Sequence, residues 1–180
     1  LTPISIDAQT TDMVIVRGAY FTYNVTRLDG SFVCIHNYTI VNVSGDIVNY
    51  TKYVIKENQT WILNYTENKS KGFVRWIWCI PQTAYEWYFE HYPEEIQNDS
   101  YYNDTYLYLH MCLAGGDHVY LEVWVNATTN IVEKKRTWAV RNETRMATQN
   151  CTARLIDFYI PKKGGEEALS VLWLGLAVLL

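Results

Sequence analysis

The chain has 180 residues and a net charge of −4, enough for one domain with a real core and the wrong sign for nucleic acid. Aromatics reach 15%, with Tyr and Trp far outnumbering Phe, a bias that suits half-buried strands and ligand cavities in which a ring keeps one polar end. There is no GxSxG, no HExxH and no phosphate-binding glycine loop, so nothing points to an enzyme or to a bound cofactor.

Residues 1–12 read as a polar lead-in around Pro3. Met13–Arg27 is β-branched and aromatic, a strand kinked at Gly18 and ended by the Asp29-Gly30 turn. Strand side chains alternate, so a solvent-facing Asn37 on Ser31–Val43 puts Phe32, Cys34, His36 and Tyr38 inside. By the same rule Ile47–Lys56 turns Val48, Tyr50, Lys52 and Val54 inward, and an inward lysine suggests an edge or a bulge. Gln59–Thr66 turns Trp61, Leu63 and Tyr65 inward. A turn at Asn68–Gly72 leads into an aromatic strand, Phe73–Ile80, that carries Trp76, Trp78 and Cys79. Gln82–His91 fits both periods: Tyr85, Trp87 and Phe89 alternate, while Tyr85, Tyr88 and Phe89 sit at helical spacing. A strand is the expectation.

Pro93–Asp104 is an acidic loop before the clearest hairpin in the chain, Thr105–Leu113 and His118–Val125, whose turn Ala114-Gly115-Gly116-Asp117 supplies positive-φ positions. Thr129–Thr137 holds a turn and a strand start, and its charged run Glu133-Lys134-Lys135-Arg136 reads as exposed. Asn142–Asn150 is expected to form a short C-terminal helix, and Thr152–Ile160 a last strand stopped by Pro161. Short strands with turn signals predict one antiparallel all-β barrel or sandwich domain over residues 13–160. Residues 161–180 form a linker and an apolar tail. Ala168–Leu180 falls short of the roughly 20 residues that span a bilayer. It resembles a lipid-anchor signal with a short spacer, so membrane contact is expected only through such an anchor. A truncated terminus is the alternative.

Twelve Asn-X-Ser/Thr triplets, at Asn24, Asn37, Asn42, Asn49, Asn58, Asn64, Asn68, Asn98, Asn103, Asn126, Asn142 and Asn150, predict a glycosylated secreted protein whose signal peptide has been removed. Cys34, Cys79, Cys112 and Cys151 then read as two disulfides with three possible connectivities, and no CxxC suggests zinc.

The candidate pocket residues start with Glu122 and Trp124, two apart and therefore on one face. A carboxylate beside an indole suits a small organic cation, each cation–π contact contributing about 0.5–2 kcal/mol. Tyr106 and Tyr108 on the preceding strand, with Trp61, Tyr65 and Trp78, are candidates for the remaining walls. Against an inward Glu122 stands its shared parity with the sequon Asn126, and the opposite face, Val119, Leu121, Val123 and Val125, is wholly apolar. His36 and His110 read as core or rim residues.

Val14-Ile15-Val16-Arg17-Gly18-Ala19-Tyr20, Phe32-Val33-Cys34-Ile35, the run Tyr101–Cys112 followed by Gly115-Gly116 and Tyr120-Leu121-Glu122-Val123-Trp124-Val125, and Asn150-Cys151 with Phe158-Tyr159 together resemble the tick salivary lipocalins, the family of the histamine-binding proteins. The resemblance implies a lipocalin-like eight-stranded antiparallel up-and-down barrel around one small ligand, and a monomer. It implies a Cys112–Cys151 bond, which leaves Cys34 with Cys79. It also implies sequestration of a host mediator, either a biogenic amine such as histamine or serotonin, with Glu122 at the acidic position, or a lipid such as a leukotriene or fatty acid. The rival reading is an Ig-like surface glycoprotein that binds a protein partner; there His110 stands where such a sandwich places a Tyr two residues before its second Cys, here Cys112.

Overall fold

The structure, a computed structural model, describes residues 14–75, 77–141, 144–145, 150–161 and 169–170. Its elements are β1 (Tyr20–Arg27), β2 (Phe32–Ser44), β3 (Ile47–Lys56), β4 (Gln59–Asn68), β5 (Phe73–Val74), β6 (Trp78–Cys79), α1 (Pro81–His91), β7 (Tyr101–Asn103), β8 (Tyr106–Cys112), β9 (Asp117–Val125), β10 (Val132–Arg141), β11 (Thr144–Arg145), β12 (Cys151–Ile160) and β13 (Leu169–Ser170). Nine strands form one antiparallel sheet in the order β4-β3-β2-β1-β12-β10-β9-β8-β7, with β11 added beside β10 and β13 beside β12. This is two meanders joined where β1 pairs β12. Among the described residues β4 and β7 pair with nothing beyond the ends of the path, so the sheet is not a closed barrel.

Period-two alternation sets the core. Phe21, Tyr23 and Val25 of β1, Leu107 and Leu109 of β8, and Leu121, Val123 and Val125 of β9 are buried, while the residues between them are not. Tyrosines cross the inner face one strand at a time. Tyr23 meets Tyr38 edge-on at 5.8 Å, Tyr38 lies 6.0 Å from Tyr50, and Tyr50 stacks on Tyr65 at 5.2 Å. The Tyr23 hydroxyl donates to the Val132 carbonyl at 2.8 Å. Lys52 follows the inward parity of β3, with its ammonium 5.6 Å from the Tyr38 ring, and burial lowers its pKa.

Several expectations need correction. β1 begins at Tyr20 rather than Met13, because Gly18, at φ +85°, turns the chain just before it. The aromatic stretch Phe73–Ile80 yields only two short paired strands, β5 and β6. Gln82–His91 is helical: Pro81 at the first turn presets the helical φ, and i,i+4 stacking follows between Tyr85 and Phe89 at 6.2 Å and between Trp87 and His91 at 4.3 Å. Of the expected C-terminal helix, Thr144–Arg145 pairs as β11 and most of the rest lies outside the described residues. The apolar tail also lies outside them, apart from β13.

The helix is held close to the turn after β4. Gly72, at φ +80°, packs so tightly that an added Cβ would stand 2.5 Å from the Ala84 nitrogen and 2.6 Å from the Thr83 Cβ. Left-handed backbone costs a non-glycine residue about 1–2 kcal/mol. Gly72→Ala adds that clash to the strain, whereas Gly116, equally left-handed at φ +79°, faces open space. We expect Gly72→Ala to lower the thermal midpoint well below that of Gly116→Ala in parallel melts.

His36 gives the fold a measurable pH response. Its imidazole Nε2 lies 3.3 Å from the Cys34 Sγ, and burial, then the nearby Lys52, pull its pKa down to about 4. The unfolded chain takes up this proton near the ordinary value of about 6.5, so its contribution to stability is lost as pH falls from about 6.5 to 4. His36→Phe should therefore lose less stability than the parent chain between pH 7 and pH 4.5, read as the shift in urea midpoint.

Candidate ligand-binding site

Between the inner face of the sheet and helix α1 lies a cavity of about 910 Å³. Its floor is apolar: Leu107, Leu121, Val123 and Val132 come from β8, β9 and β10. Its lid is aromatic. Phe73 stacks on Tyr88 at 5.4 Å and meets Trp87 edge-on at 5.5 Å, and the Lys71 amine lies 4.9 Å from the Trp87 ring centroid. Burial drives the Tyr88 hydroxyl up to about 12.

The charges are arranged unequally. Lys71, Arg75 and Lys135 line the cavity with Glu67 and Glu95. Glu67 is already engaged: one oxygen accepts from the Arg75 backbone N–H at 2.6 Å and the other lies 3.3 Å from the Arg75 Nε. Lys135 keeps part of its surface accessible although protein surrounds it deeply, as a cavity-lining side chain does. Burial, reinforced by the Arg75 guanidinium, pulls its pKa down to about 7 against the opposing influence of Cys151, Cys79 and Glu67. The Trp78 indole N–H is buried at the wall and has no acceptor among the described residues.

Of the residues expected to bind ligand, Tyr65 and Trp78 line this cavity. The others do not. Glu122, Trp124, Tyr106 and Tyr108 lie on the outer face, because Leu121, Val123 and Val125 take the inner one. Glu122 accepts from the Tyr106 hydroxyl at 2.8 Å and from Arg136 at 3.1 Å. Trp124 carries the Lys134 amine 4.1 Å from its ring centroid. The acid and the indole thus hold two of the chain's own cations. Burial and the Glu122 hydrogen bond raise the Tyr106 hydroxyl, while burial and then Asp99 raise Tyr108 to about 12. Trp61 has the inner parity, opposite Val54, but β4 ends the sheet and leaves it 44% exposed.

All four cysteines are free thiols. Between Cys112 on β8 and Cys151 on β12 run β9 and β10, a lateral separation of about 14 Å at the usual strand spacing and beyond disulfide reach. Also on the outer face, His110 lies 2.8 Å from Asp99 and its Nε2 lies 2.7 Å from the His118 Nδ1. No group of three or more His, Cys, Asp or Glu among the described residues is placed to hold a metal ion. Asn42, Asn58, Asn64, Asn98 and Asn103 are exposed, whereas Asn24, Asn37, Asn49, Asn68, Asn126 and Asn150 are half-buried; Asn142 lies outside the described residues. The Asn126 oxygen accepts from the backbone of Thr128 and Thr129 and so builds the turn into β10.

Lys135 is the site residue that reading by parity missed. Across β9, Val132 faces Val125 and Lys134 faces Trp124, so Glu133 is an extra residue, a bulge. The inserted residue swaps the faces: Lys134 points out and Lys135 points in, opposite Val123. No turn residue or periodicity in Glu133–Arg136 announces this.

A comparison with protein-family models finds no match, and neither does a comparison with curated proteins.

Glu122→Gln should weaken the outer-face network without touching the cavity. A charge-assisted pair of this exposure contributes about 1 kcal/mol. We expect a loss of that order in urea unfolding and no change in the affinity of a guest in the cavity.

Proposed function

We propose that this chain is a secreted, glycosylated binding protein that sequesters one small mediator in the cavity under α1, and that the mediator is an amphiphile with an acceptor head group, such as a fatty acid or a related lipid acid. The observation that carries this reading is the polarity of the cavity. Lys71, Arg75 and Lys135 outnumber Glu67 and Glu95 along its wall, Glu67 is committed to Arg75, and the buried Trp78 N–H has no acceptor among the described residues. A carboxylate guest meets these donors and leaves its chain on Leu107, Leu121 and Val123. An ammonium guest, the ligand expected from Glu122 and Trp124, finds those two residues on the other side of the sheet.

Volume supports the same choice. About 910 Å³ is at the upper end of the 300–1,000 Å³ usual for small-ligand sites, room for a long chain and far more than a biogenic amine fills. The strand order supports a lipocalin-like wall: each meander follows the up-and-down pattern, and the single helical turn Lys69–Lys71, β5, β6 and α1 occupy the interval between β4 and β7. In this reading the protein is a monomeric, ligand-carrying relative of the lipocalin kind whose wall is an open antiparallel sheet, and its sequons and secretion go together.

Calorimetric titration with oleate, oleyl alcohol, histamine and serotonin separates the possibilities. Oleate is expected to bind at one site, and Lys135→Met to weaken it about tenfold, or about 1.4 kcal/mol, while oleyl alcohol changes little. Tight binding of an amine with no heat from oleate overturns the proposal in favour of the amine reading.

A further inference from the structure

We propose a second ligand site on the outer side of the sheet, where β10 parts from β12, that takes a compact apolar anion such as an aromatic sulfonate or carboxylate. The site is separate from the cavity under α1 and does not depend on what that cavity holds.

Its place is set by where strand pairing stops. β10 pairs β12 only from Lys134 opposite Arg154 to Thr137 opposite Cys151, although β12 continues to Ile160. β1 follows the other side of β12 as far as Tyr159, so the gap opens on the β10 side alone. Beyond Arg154 lies a groove of about 640 Å³, within the 300–1,000 Å³ usual for small-ligand sites. Its apolar lining is Trp124, Leu155, Ile156 and Phe158. Ile156 is the extra residue of a bulge, because β1 passes from Thr22 opposite Asp157 to Tyr23 opposite Leu155. The bulge takes its side chain out of the alternation and leaves it 40% exposed at the groove.

The charges decide the class of guest. Lys134 and Arg154 stand directly opposite each other on adjacent strands, where like charges repel, and both line the groove. Arg154 is exposed and has no hydrogen bond or ion pair among the described residues. The Lys134 amine has the Trp124 ring at 4.1 Å but no carboxylate, since Glu122 pairs with Arg136 at 3.1 Å. The acids of the groove are engaged elsewhere: Asp157 accepts from the Tyr20 hydroxyl at 3.2 Å and Glu133 from the Asn126 amide at 3.1 Å. Burial, then Arg136 and Arg154, lower the Lys134 pKa against the opposing Glu122, the direction expected where cations crowd. An anion between the two heads relieves their repulsion, and the guanidinium fork suits a planar or tetrahedral oxyanion. The apolar body then lies on Ile156 and Phe158, contacts that a bare inorganic anion does not make.

Calorimetric titration of the full chain with naphthalene-2-sulfonate tests the site, with the uncharged naphthalene-2-sulfonamide as control. The expected result is one sulfonate site that weakens as salt rises, with the sulfonamide bound much more weakly. Arg154→Gln and Lys134→Gln should each weaken the sulfonate about tenfold, while Arg154→Gln leaves the affinity for oleate as it is in the parent chain. A second measurement needs no variant: the Arg154 Nε–H resonance of the parent chain should shift as sulfonate is added. Equal binding by the parent chain and Arg154→Gln, with no shift of that resonance, puts the sulfonate elsewhere and overturns the site. The absence of heat with the parent chain overturns it too, and neither result bears on oleate.

Discussion

Alternation is the constraint on which this molecule is built. Each strand of a curved sheet commits every second residue to the interior, and the commitment holds along the strand until an extra residue is inserted. β9 obeys it without interruption, with Leu121, Val123 and Val125 inside and Glu122 and Trp124 outside. β10 breaks it at Glu133. Without the extra residue Lys134 and Arg136 would take the inner parity of Val132; with it they serve Trp124 and Glu122 outside, and Lys135 takes the inner face. The outer-face network and the inner amine are two results of one insertion.

That insertion has an electrostatic cost. The folded Lys135 amine titrates at about 7 and the unfolded one near 10.4, so its charged form is penalised in the folded state. The penalty is complete below pH 7 and disappears as pH rises toward 10.4. Glu67 softens it, but Arg75 holds that carboxylate and adds a like charge of its own. A charged group on the wall of a cavity is a candidate for function, because a guest of opposite charge relieves part of that penalty.

Much of the fold was legible because it depends on local patterns. The Gly115-Gly116 turn and its two flanking strands stand where turn chemistry puts them, and the inward sets of β2 and β3 follow from single sequons placed outward. Phe32, although of the inner parity, is 55% exposed because it opens its strand. What was illegible depends on tertiary context. Gln82–His91 satisfied both periods, and only Pro81 together with the close approach of Ala84 to Gly72 selects the helix. Tyr65 and Trp78 were found as cavity residues by their aromatic character and position. Glu122 and Trp124 were chosen for chemistry that is real, since they do hold cations, but the cations are Arg136 and Lys134 of the same chain. The competing parity argument from Asn126 described their side of the sheet.

The end of the sheet at β4 has one more consequence. A ten-residue strand with unpaired backbone groups, and with Trp61, Ile62 and Leu63 each more than 40% exposed, is a template on which another chain could add and begin a fibril. Three sequons, Asn58, Asn64 and Asn68, fall at or within that strand. Sugars attached there would surround the only long unpaired edge among the described strands with bulky, hydrated chains. Carbohydrate would then do for this edge what lysines and prolines do for edges elsewhere, keeping a sticky ribbon solitary.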